Sequence, residues 1–504
     1  MNNKVRFISL LVLFPLVGLN LSACGSGSNS LNSPIDIALR NIITVNNLTG
    51  DALKGRNIPS IESAKSQLGM RLFFSKSLGG DRDTACVTCH HPSLGGGDHL
   101  SLPIGVGAEN ANLLGEGRLH SNLSVHHDAG PTVPRNAPTT FNVAAWDKVL
   151  FHDGRLESLG KIDKASGNDG LGIRTPDSSF GVADLLSTNN LAAAQARFPI
   201  TSEGEMKGFN HNDKNNQGIR DFLASRLGNY GAGAGELSDS TYWLTQFQNV
   251  LNNTTASAEE LITEQNIALL IGEYERSQAF SNTAWRHYIE GDNNAISADA
   301  KQGALLFFQS QTAGGANCSS CHSKDLFSDE AFHNIAMPQI GRGKGDTTSL
   351  TSDFGRFRET GDENDKYAFR TPSLLNVEVT GPWTHAGAYT SLKAVVKHHL
   401  NPETAIANYD FSQLNQAGIQ NLDQLQTNTQ VALAKLSFDR LFGRDVIENI
   451  DLSEQQVDQI IAFLHTLTDP CVKDRQCLSQ WIPPANEDPN GDQLDAVDAS
   501  GSAL

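Results

Sequence analysis

Basic residues, cysteine and methionine are all scarce in this chain of 504 residues. Lysine and arginine number 38 against 56 aspartates and glutamates, which leaves a formal net charge of −18. This balance argues against nucleic acid and anionic membrane surfaces as partners, because both would repel the chain. The hydrophobic content of 39% and the charged content of 19% are those of a soluble globular protein. The length allows two or three domains with sizeable cores.

A long apolar run is also missing. The uncharged stretch over residues 7–21 follows two basic residues and ends in small ones. It is short for a membrane-spanning helix, which favours a cleaved signal peptide. Leu21-Ser22-Ala23-Cys24 then resembles a bacterial lipobox, whose cysteine would carry lipid. We therefore predict a lipoprotein signal peptide over 1–24 and a flexible linker over 25–57 that contains one short helix around Ile35 to Ile43. The mature protein would lie on the periplasmic side, held to the outer membrane only by this lipid anchor.

Four of the seven cysteines lie in two copies of one pattern. Cys86-Val87-Thr88-Cys89-His90 and Cys318-Ser319-Ser320-Cys321-His322 both read C-x-x-C-H. Two thiols with this spacing can add to the vinyl groups of one haem, and the following histidine can bind its iron. Zinc knuckles are the alternative, but they need partner ligands in each half, and the only other downstream cysteines are Cys471 and Cys477. We predict two covalently bound haems c.

The segments before both patterns also repeat. Residues 69–74 and 303–308 both read G-x-x-L-F-F within a helical pattern. A repeated helix, short loop and C-x-x-C-H indicate a duplicated cytochrome c-like unit. We therefore predict a mainly α fold with two cytochrome c-like haem domains in tandem, at 58–295 and 296–470, and with loop-rich insertions. A C-terminal tail, 471–504, follows them.

Local signals mark the ends of the second unit. Ser297 is a plausible N-cap for its first helix, and a capping box from Ser453 to Gln456 opens its last one. Cys471 and Cys477 would form a small disulfide loop in an oxidising compartment, with two free thiols as the alternative. From residue 484 the tail is acidic and rich in Gly, Ser and Asp, a composition that predicts disorder.

Further short motifs follow the order found in bacterial di-haem cytochrome c peroxidases and their MauG-like relatives. They are RNAPT at 135–139, FHDGR at 151–155, the segment 199–206, GRF at 355–357, DKYAFRTPSLLN at 365–376 and TGPWTHAG at 380–387. With both C-x-x-C-H patterns, the resemblance spans roughly residues 60–470. It implies an exported peroxidase that reduces hydrogen peroxide at the N-terminal haem. Electrons would come through the C-terminal haem from a small donor protein, such as a cytochrome c or a cupredoxin.

Two other functions remain open at this point. One is a MauG-like oxidase that uses peroxide to modify a residue of a partner protein. The other, from a different class, is a non-enzymatic di-haem electron carrier in which two ligands close each iron. The sequence also leaves a homodimer open.

The resemblance implies a second ligand for the iron bound by His322. That ligand is methionine in the peroxidases and tyrosine in the MauG-like enzymes, and the matching position here falls on His399. The four methionines, at 1, 70, 206 and 337, lie elsewhere in the sequence. Its neighbour His398 is the alternative ligand.

The resemblance also implies an open N-terminal haem. The removable distal histidine of the peroxidases falls on Ala108, which leaves the iron on His90 five-coordinate. One of the loop histidines, at 99, 120, 126 or 127, could instead close it. Glu205 matches the family's distal acid, which would transfer protons as the O–O bond breaks.

Two positions depart from the family pattern, and three match a calcium site. The tryptophan between the haems is His152 here, and the register places Ile162 at the distal glutamine. Asn136, Thr380 and Pro382 match the family's calcium ligands, one side-chain oxygen and two backbone carbonyls. Oxygen ligands of this kind suit a hard cation.

Overall fold

The computed structural model describes residues 33–124, 127, 130–168, 170–347, 351–414, 416–419, 422–444 and 447–504. The predicted signal peptide with Cys24, and residues 25–32, therefore lie outside the described residues. Helices make up 40% of the structure and strands 6%, which confirms the mainly α fold. In the described part of the chain, no helix combines the length and the apolar character that crossing a membrane requires.

Fifteen α-helices occur in the described residues. They are α1 Pro34–Val45, α2 Ala64–Phe73, α3 Leu191–Ala196, α4 Asn216–Gly228, α5 Tyr242–Val250, α6 Ala258–Leu261, α7 Glu264–Ser277, α8 Ala284–Glu290, α9 Ala298–Phe308, α10 Phe357–Thr360, α11 Leu392–Leu400, α12 Pro402–Ala407, α13 Leu422–Leu441, α14 Glu454–His465 and α15 Arg475–Leu478. Both predicted caps of the second unit are confirmed, since Ser297 accepts from the Ala300 amide and Ser453 forms a capping box with Gln456.

The strands are short and form two small antiparallel sheets. They are β1 Val149–Leu150, β2 Leu156–Ser158, β3 Ile173–Arg174, β4 Phe332–Asn334 and β5 Ala368–Arg370. The order of the first sheet is β1-β2-β3, with Leu150 opposite Leu156, and β4 pairs with β5, with Phe332 opposite Arg370. These sheets connect loops beside the helices and do not form a core of their own.

The repeated glycines allow two equivalent helix crossings. A Cβ on Gly69 of α2 would lie 1.9 Å from the carbonyl oxygen of Leu270 in α7, and one on Gly303 of α9 would lie 1.8 Å from that of Gln459 in α14. Only glycine permits such a close approach of two backbones. The residues around the two crossings belong to two different apolar cores, and we call the part of the structure around α2 and α7 the first half and the part around α9 and α14 the second half.

One backbone carbonyl joins the two halves. Asn142 and Asn376 both adopt left-handed backbone conformations, with φ of 58° and 61°. Both side-chain amides donate to the carbonyl oxygen of Phe280, at 2.9 and 3.1 Å. A short 3-10 turn follows each asparagine, so the repeat extends beyond the attachment motifs.

The short helix predicted around Ile35 to Ile43 is present as α1, but the segment packs on the second half and is not a flexible linker. Leu39 and Ile43 of α1 belong to the core of the second half, and Asp36 pairs with Lys301 of α9 at 2.8 Å. The carboxylate of Asp325 also accepts hydrogen bonds from the backbone amides of residues 49 and 50. Residues 34–57 are thus an ordered part of the protein. Their polar composition hid the few apolar side chains that anchor them.

The C-terminal tail packs on the first half, so the prediction of disorder is wrong. Leu494 is buried in the first core, and its amide donates to Phe74 O at 2.8 Å. Asp492 binds the Arg82 guanidinium at 2.7 Å, and Val497 exchanges backbone hydrogen bonds with residues 112 and 114. These contacts keep the C-terminal tail ordered, which its amino-acid composition does not reveal. The predicted Cys471–Cys477 disulfide is present.

Candidate functional site

The first C-x-x-C-H loop is buried and presents two free thiols. Residues 86–88 are buried, Cys89 is half-buried, and neither Cys86 nor Cys89 is in a disulfide. The Nδ1 of His90 donates to the carbonyl oxygen of Gly96 at 3.1 Å, and burial lowers the pKa of this imidazole. A neutral ring whose Nδ1 carries the proton keeps Nε2 available for a metal.

The second loop repeats this arrangement at a more exposed position. The Nδ1 of His322 donates to the carbonyl oxygen of Phe327 at 3.1 Å. Burial, reinforced by the neighbouring His399, lowers the pKa of His322 to about 4. Cys318 and Cys321 are free and half-buried, and Ser320 between them is exposed. The second attachment loop is therefore the one that reaches the surface.

A single cavity of about 470 Å³ connects both loops. Its lining includes the cysteines and histidine of each motif and apolar residues of both cores, among them Phe73, Phe307 and Leu375. Free thiol pairs, neutral imidazoles with available Nε2 atoms and apolar surroundings are the features that covalently bound haem requires. The residues present therefore fit two haems.

Of the two adjacent histidines on α11, only His399 lines the cavity. Its ring centroid lies 6.1 Å from that of His322, and its Nδ1 donates to the carbonyl oxygen of Val395 at 2.8 Å. Metal–imidazole bonds of about 2 Å on opposite sides of one ion place the two ring centroids roughly 6 Å apart. The spacing of His322 and His399 thus suits two ligands of one iron.

His398 has a structural environment instead. It is fully buried, its Nε2 donates to the carbonyl oxygen of Ile335 at 2.8 Å, and its Nδ1 accepts from the Tyr389 hydroxyl at 2.8 Å. Both ring nitrogens are occupied, which leaves none for a metal. Burial lowers the pKa of His398 to about 3, so it is a neutral core residue.

Glu205 lines the cavity on the side of the first loop. It lies in a short π-helical turn, Glu203–Lys207, and its carbonyl oxygen accepts from the Thr84 hydroxyl at 3.2 Å. Gly105 lies directly against it, since a Cβ there would be 2.5 Å from Glu205 O. Single π-helical turns occur frequently at functional sites. This turn places the half-buried side chain of Glu205 at the wall of the cavity, on the side of the first C-x-x-C-H loop.

Ile162, which the register places at the position of the distal glutamine, is 53% exposed and does not line the cavity. A glutamine does line it, Gln195 at the end of α3. The sequence reasoning did not single out this residue.

None of the loop histidines described in the structure lines the cavity. His99 is exposed, and its Nε2 lies 3.4 Å from the carbonyl oxygen of Val379. His120 contacts the ring of His127 at 5.2 Å and pairs through its backbone with Ala108. His126 lies outside the described residues. Ala108 itself is half-buried and away from the cavity lining.

The three predicted calcium ligands, Asn136, Thr380 and Pro382, all line this cavity. The amide nitrogen of Asn136 donates to the carbonyl oxygens of Leu100 and Ser101, at 2.9 and 3.3 Å. Among the described residues, none donates a hydrogen bond to Asn136 Oδ1 or to the carbonyl oxygens of Thr380 and Pro382. Three oxygens without donors, from both halves, fit a calcium ion with water as its other ligands.

His152 lines the cavity that both loops share. Its Nε2 donates to the carbonyl oxygen of Asn136 at 3.0 Å. Burial, with help from Arg135, lowers the pKa of His152 to about 3, so the ring is neutral. The ring of His385, which also lines the cavity, stacks on Phe369 with centroids 3.7 Å apart.

Sequence reasoning missed three charged residues of the cavity lining, Lys344, Glu275 and Glu448. Burial lowers the pKa of Lys344 to about 8 and raises that of Glu275 to about 8. The only signal for Lys344 was its position in the glycine-rich run at 341–345, and Glu275 had none.

Comparisons with known proteins agree with this arrangement. A family model described as di-haem cytochrome c peroxidase matches residues 63–294. Methylamine utilization protein MauG of Methylorubrum extorquens is 28% identical over 339 residues, 67% of this chain and 68% of that protein. Cytochrome c551 peroxidase of Pseudomonas aeruginosa is 24% identical over 337 residues, 67% of this chain and 71% of that protein.

A similar fold is found in the crystal structure of a MauG-like protein associated with microbial copper homeostasis. The alignment has a TM-score of 0.51 at 19% identity and covers 85% of this chain and 97% of that one. At this identity the likeness concerns the fold alone.

Proposed function

Because the chain belongs to the di-haem cytochrome c peroxidase and MauG family and is an oxidoreductase, we propose that it reduces hydrogen peroxide in the pocket of His90. Electrons would arrive through the site of His322 and His399. The observation that carries this proposal is the single cavity between the two attachment loops, with Glu205 on one side and His399 facing His322 on the other. Each peroxide would take up two electrons and two protons and leave two waters.

Cys86 and Cys89 would hold one haem, and Cys318 and Cys321 the other. Haem iron bound there would supply the redox chemistry of the reaction. The two sites would form two haem domains in tandem, residues 58–295 and 296–470. The close helix crossings at Gly69 and Gly303, one in each half, support this division.

Glu205 would carry the proton chemistry in the first pocket. Its carboxylate can accept a proton from hydrogen peroxide and return it to the departing oxygen, which is general acid–base catalysis. Gln195 on the same wall offers an amide that can orient the peroxide by hydrogen bonding. The positions of His99, His120 and His127, all off the cavity lining, support an open first site.

His399 would make the second site an electron carrier. Two protein ligands leave no position for peroxide, so an iron between His322 and His399 would exchange electrons only. The second loop is also the more exposed of the two, which supports electron entry from a small donor protein such as a cytochrome c or a cupredoxin.

A MauG-like oxidase that modifies a partner protein is the second candidate. It is favoured by the imidazole of His399, where the peroxidases have a methionine, and by the relatives named MauG. The replacement of the inter-haem tryptophan by His152 argues against it, because a neutral imidazole is a poorer relay for charge than an indole. We therefore prefer the peroxidase.

We further propose that calcium binds between the halves through Asn136, Thr380 and Pro382. Export to the periplasmic side, with the lipid anchor at Cys24, rests on the N-terminal residues alone. The Cys471–Cys477 disulfide supports export, because disulfides persist in oxidising compartments.

The test compares two glutamates of one π-helical turn. Glu205→Gln should abolish peroxide-dependent oxidation of a reduced cytochrome c. Glu203→Gln is the matched control, because Glu203 is exposed and absent from the cavity lining. Unchanged turnover in the Glu205 variant would contradict the proposal.

The same assay separates the two candidate functions. A peroxidase leaves its donor protein with unchanged mass after many turnovers. A MauG-like oxidase adds or removes atoms on a specific partner, which mass spectrometry detects. Slow consumption of every donor together with a mass change in one partner would favour the oxidase.

A further inference from the structure

Arg370 is a buried cation at the wall of the cavity, and one of its nitrogens has no hydrogen-bond partner among the described residues. The residue is 8% exposed and lines the cavity. Its Nε donates to the carbonyl oxygen of Phe151 at 3.0 Å, and its guanidinium lies over the ring of Trp146, 3.7 Å from the centroid. Nη1 is buried, and none of the described residues accepts a hydrogen bond from it. The guanidinium is therefore held in one place with one donor nitrogen unused.

No carboxylate in the described part of the chain neutralises this guanidinium, since none forms a salt bridge with it within 4.0 Å. Burial lowers the pKa of Arg370 to about 10, which leaves it charged at neutral pH, and Glu330 opposes this shift. The carboxylate of Glu330 is itself occupied, because its Oε2 accepts from the amides of Asp147 and Lys148 at 2.9 and 2.7 Å. A buried cation without a counter-charge is costly. Arg370 therefore needs an anion that the described residues do not supply.

The sequence repeat gives Arg370 and Asn136 equivalent positions. Residues 136–142 read NAPTTFN and residues 370–376 read RTPSLLN, and the asparagine that ends each segment binds the same carbonyl oxygen. The two residues also flank His152, whose Nε2 donates to the carbonyl oxygen of Asn136 at 3.0 Å and whose own carbonyl oxygen accepts from the Arg370 amide at 2.8 Å. Arg370 is thus the counterpart, in the second C-x-x-C-H unit, of a residue that we assign to calcium.

Three contacts associate Arg370 with the second attachment loop. Pro372, two residues after it, places its carbonyl oxygen against His322, where it opposes the lowering of the histidine pKa by burial. Strand β5 pairs with β4, the strand that follows the second loop, with Phe332 opposite Arg370. Trp146, under the guanidinium, belongs to the core of the second half. Of the two haem positions, Arg370 therefore lies at the second.

We propose that Arg370 binds, through Nη1, a carboxylate of the haem attached to Cys318 and Cys321. Haem carries two carboxylate side chains, and guanidinium groups bind carboxylates through short, charge-assisted hydrogen bonds. Trp146 and the carbonyl oxygen of Phe151 already hold the arginine in place, so little side-chain entropy is lost on binding. The inference rests on haem attachment at the second loop and not on peroxide turnover.

This cation favours electron transfer into the second site. Two imidazole ligands, from His322 and His399, favour the ferric state relative to a histidine and methionine pair. A positive charge at the edge of the same haem favours the ferrous state, because it offsets the negative charge of the carboxylate. Arg370 therefore raises the reduction potential of the iron that would receive electrons from the donor protein.

Spectroelectrochemical titration of the holoprotein tests this role without turnover. In Arg370→Met, the equilibrium constant for reduction of the low-spin haem should fall about tenfold, a shift of about 59 mV for a one-electron couple. The high-spin haem should keep its potential. Arg370→Lys retains the charge and should recover most of the shift.

Arg356→Met is the matched control. Arg356 is also buried and also lies over an aromatic ring, 4.3 Å from the centroid of Phe332, but it pairs with Glu157 at 2.9 Å and does not line the cavity. Its replacement should leave both potentials unchanged. Equal shifts in the two variants would mean that loss of any buried arginine perturbs the haems indirectly, and would overturn the inference.

Resonance Raman spectroscopy provides a second readout. The bending band of the haem carboxylate groups responds to the hydrogen bonds that they accept, so it should shift in Arg370→Met and stay in place in Arg356→Met. An unchanged band together with an unchanged potential would overturn the inference. If Arg370→Met does not take up haem, Arg370→Gln is compared with Arg370→Lys, and equal potentials in these two variants would also overturn it.

The potential and the activity separate this inference from the proposed function. If Arg370→Met shifts the potential of the low-spin haem but the wild-type protein does not reduce peroxide, only the proposed function fails. If the wild-type protein reduces peroxide and Arg370→Met changes neither the potential nor the Raman band, only the role of Arg370 is wrong.

Discussion

Two neighbouring histidines on α11 should respond to replacement by alanine in opposite ways. His399→Ala should convert one of the two haems from low spin to high spin, because the iron on His322 would lose its second imidazole. His398→Ala should leave both spin states unchanged. The two substitutions remove the same atoms from adjacent residues. A difference between the spin states of the two variants therefore reports only the direction in which each ring points.

The stability effects should be reversed. His398 is fully buried and makes two hydrogen bonds of 2.8 Å, to Ile335 O and from the Tyr389 hydroxyl. Each is worth about 1 kcal/mol, and stranding a buried partner costs about as much again. His398→Ala should therefore lower the free energy of unfolding by about 4 kcal/mol. His399 makes a single bond to the Val395 carbonyl of its own helix, and its loss should cost about 1 kcal/mol or less.

The assay is electron paramagnetic resonance of the ferric protein, integrated per chain, together with thermal unfolding. The wild-type protein should give one high-spin and one low-spin iron. In His399→Ala the low-spin signal should disappear and the high-spin signal should double. A persistent low-spin signal in this variant, or its loss in His398→Ala, would refute the assignment. Two low-spin irons in the wild-type protein would instead favour the non-enzymatic electron carrier.

The other predictions concern the helix crossings and calcium. Gly303→Ala should lower the free energy of unfolding by about 3 kcal/mol, because the new Cβ would lie 1.8 Å from a backbone carbonyl oxygen. Gly218→Ala is the control, because its Cβ would meet no atom closer than 3.2 Å, and its free energy of unfolding should stay within about 1 kcal/mol of the wild-type value. Equal urea midpoints for the Gly303 and Gly218 variants would contradict the importance of the helix crossing. Chelation of calcium should change the absorption spectra of both haems, because the ligands come from both halves, and Asn136→Ala should reproduce the change without chelator. Metal analysis that finds no calcium, with an unchanged spectrum after chelation, would remove calcium from the site.

Local patterns predicted the elements whose structure depends on neighbouring residues. Ser297 and the Ser453–Gln456 box cap the helices that their sequences indicated. The repeated G-x-x-L-F-F motif forms a helix in each half, and the glycine of each lies at the crossing. In these cases the residues that fix the conformation lie within one or two turns of each other, so the sequence contains the whole cause.

The rest depends on contacts between distant parts of the chain. Gln195 was missed because the segment before α3 has no motif that sets its register. Lys344 was missed because only the folded structure brings the glycine-rich loop at 341–345 to the cavity. Adjacent histidines cannot be separated by composition, but 100° of helical rotation directs His399 and His398 to different environments.

Composition was misleading at both ends of the described chain. Segments 34–57 and 484–504 are rich in polar residues, which predicted a flexible linker and a disordered tail. A few buried side chains, Leu39 at one end and Leu494 at the other, together with backbone hydrogen bonds, are enough to order them. Backbone donors and acceptors are the same for every residue type, so composition does not register them.

The N-terminal segment packs on the second half and the C-terminal tail on the first, and this exchange constrains how the protein matures. Leu494 belongs to the core of the first half, so that core is complete only when residue 494 is in place. Leu39, near the other end, is buried in the core that contains α9. Cys86 is buried in the finished protein, so a haem that binds there covalently would have to reach the thiol before the fold closes around it.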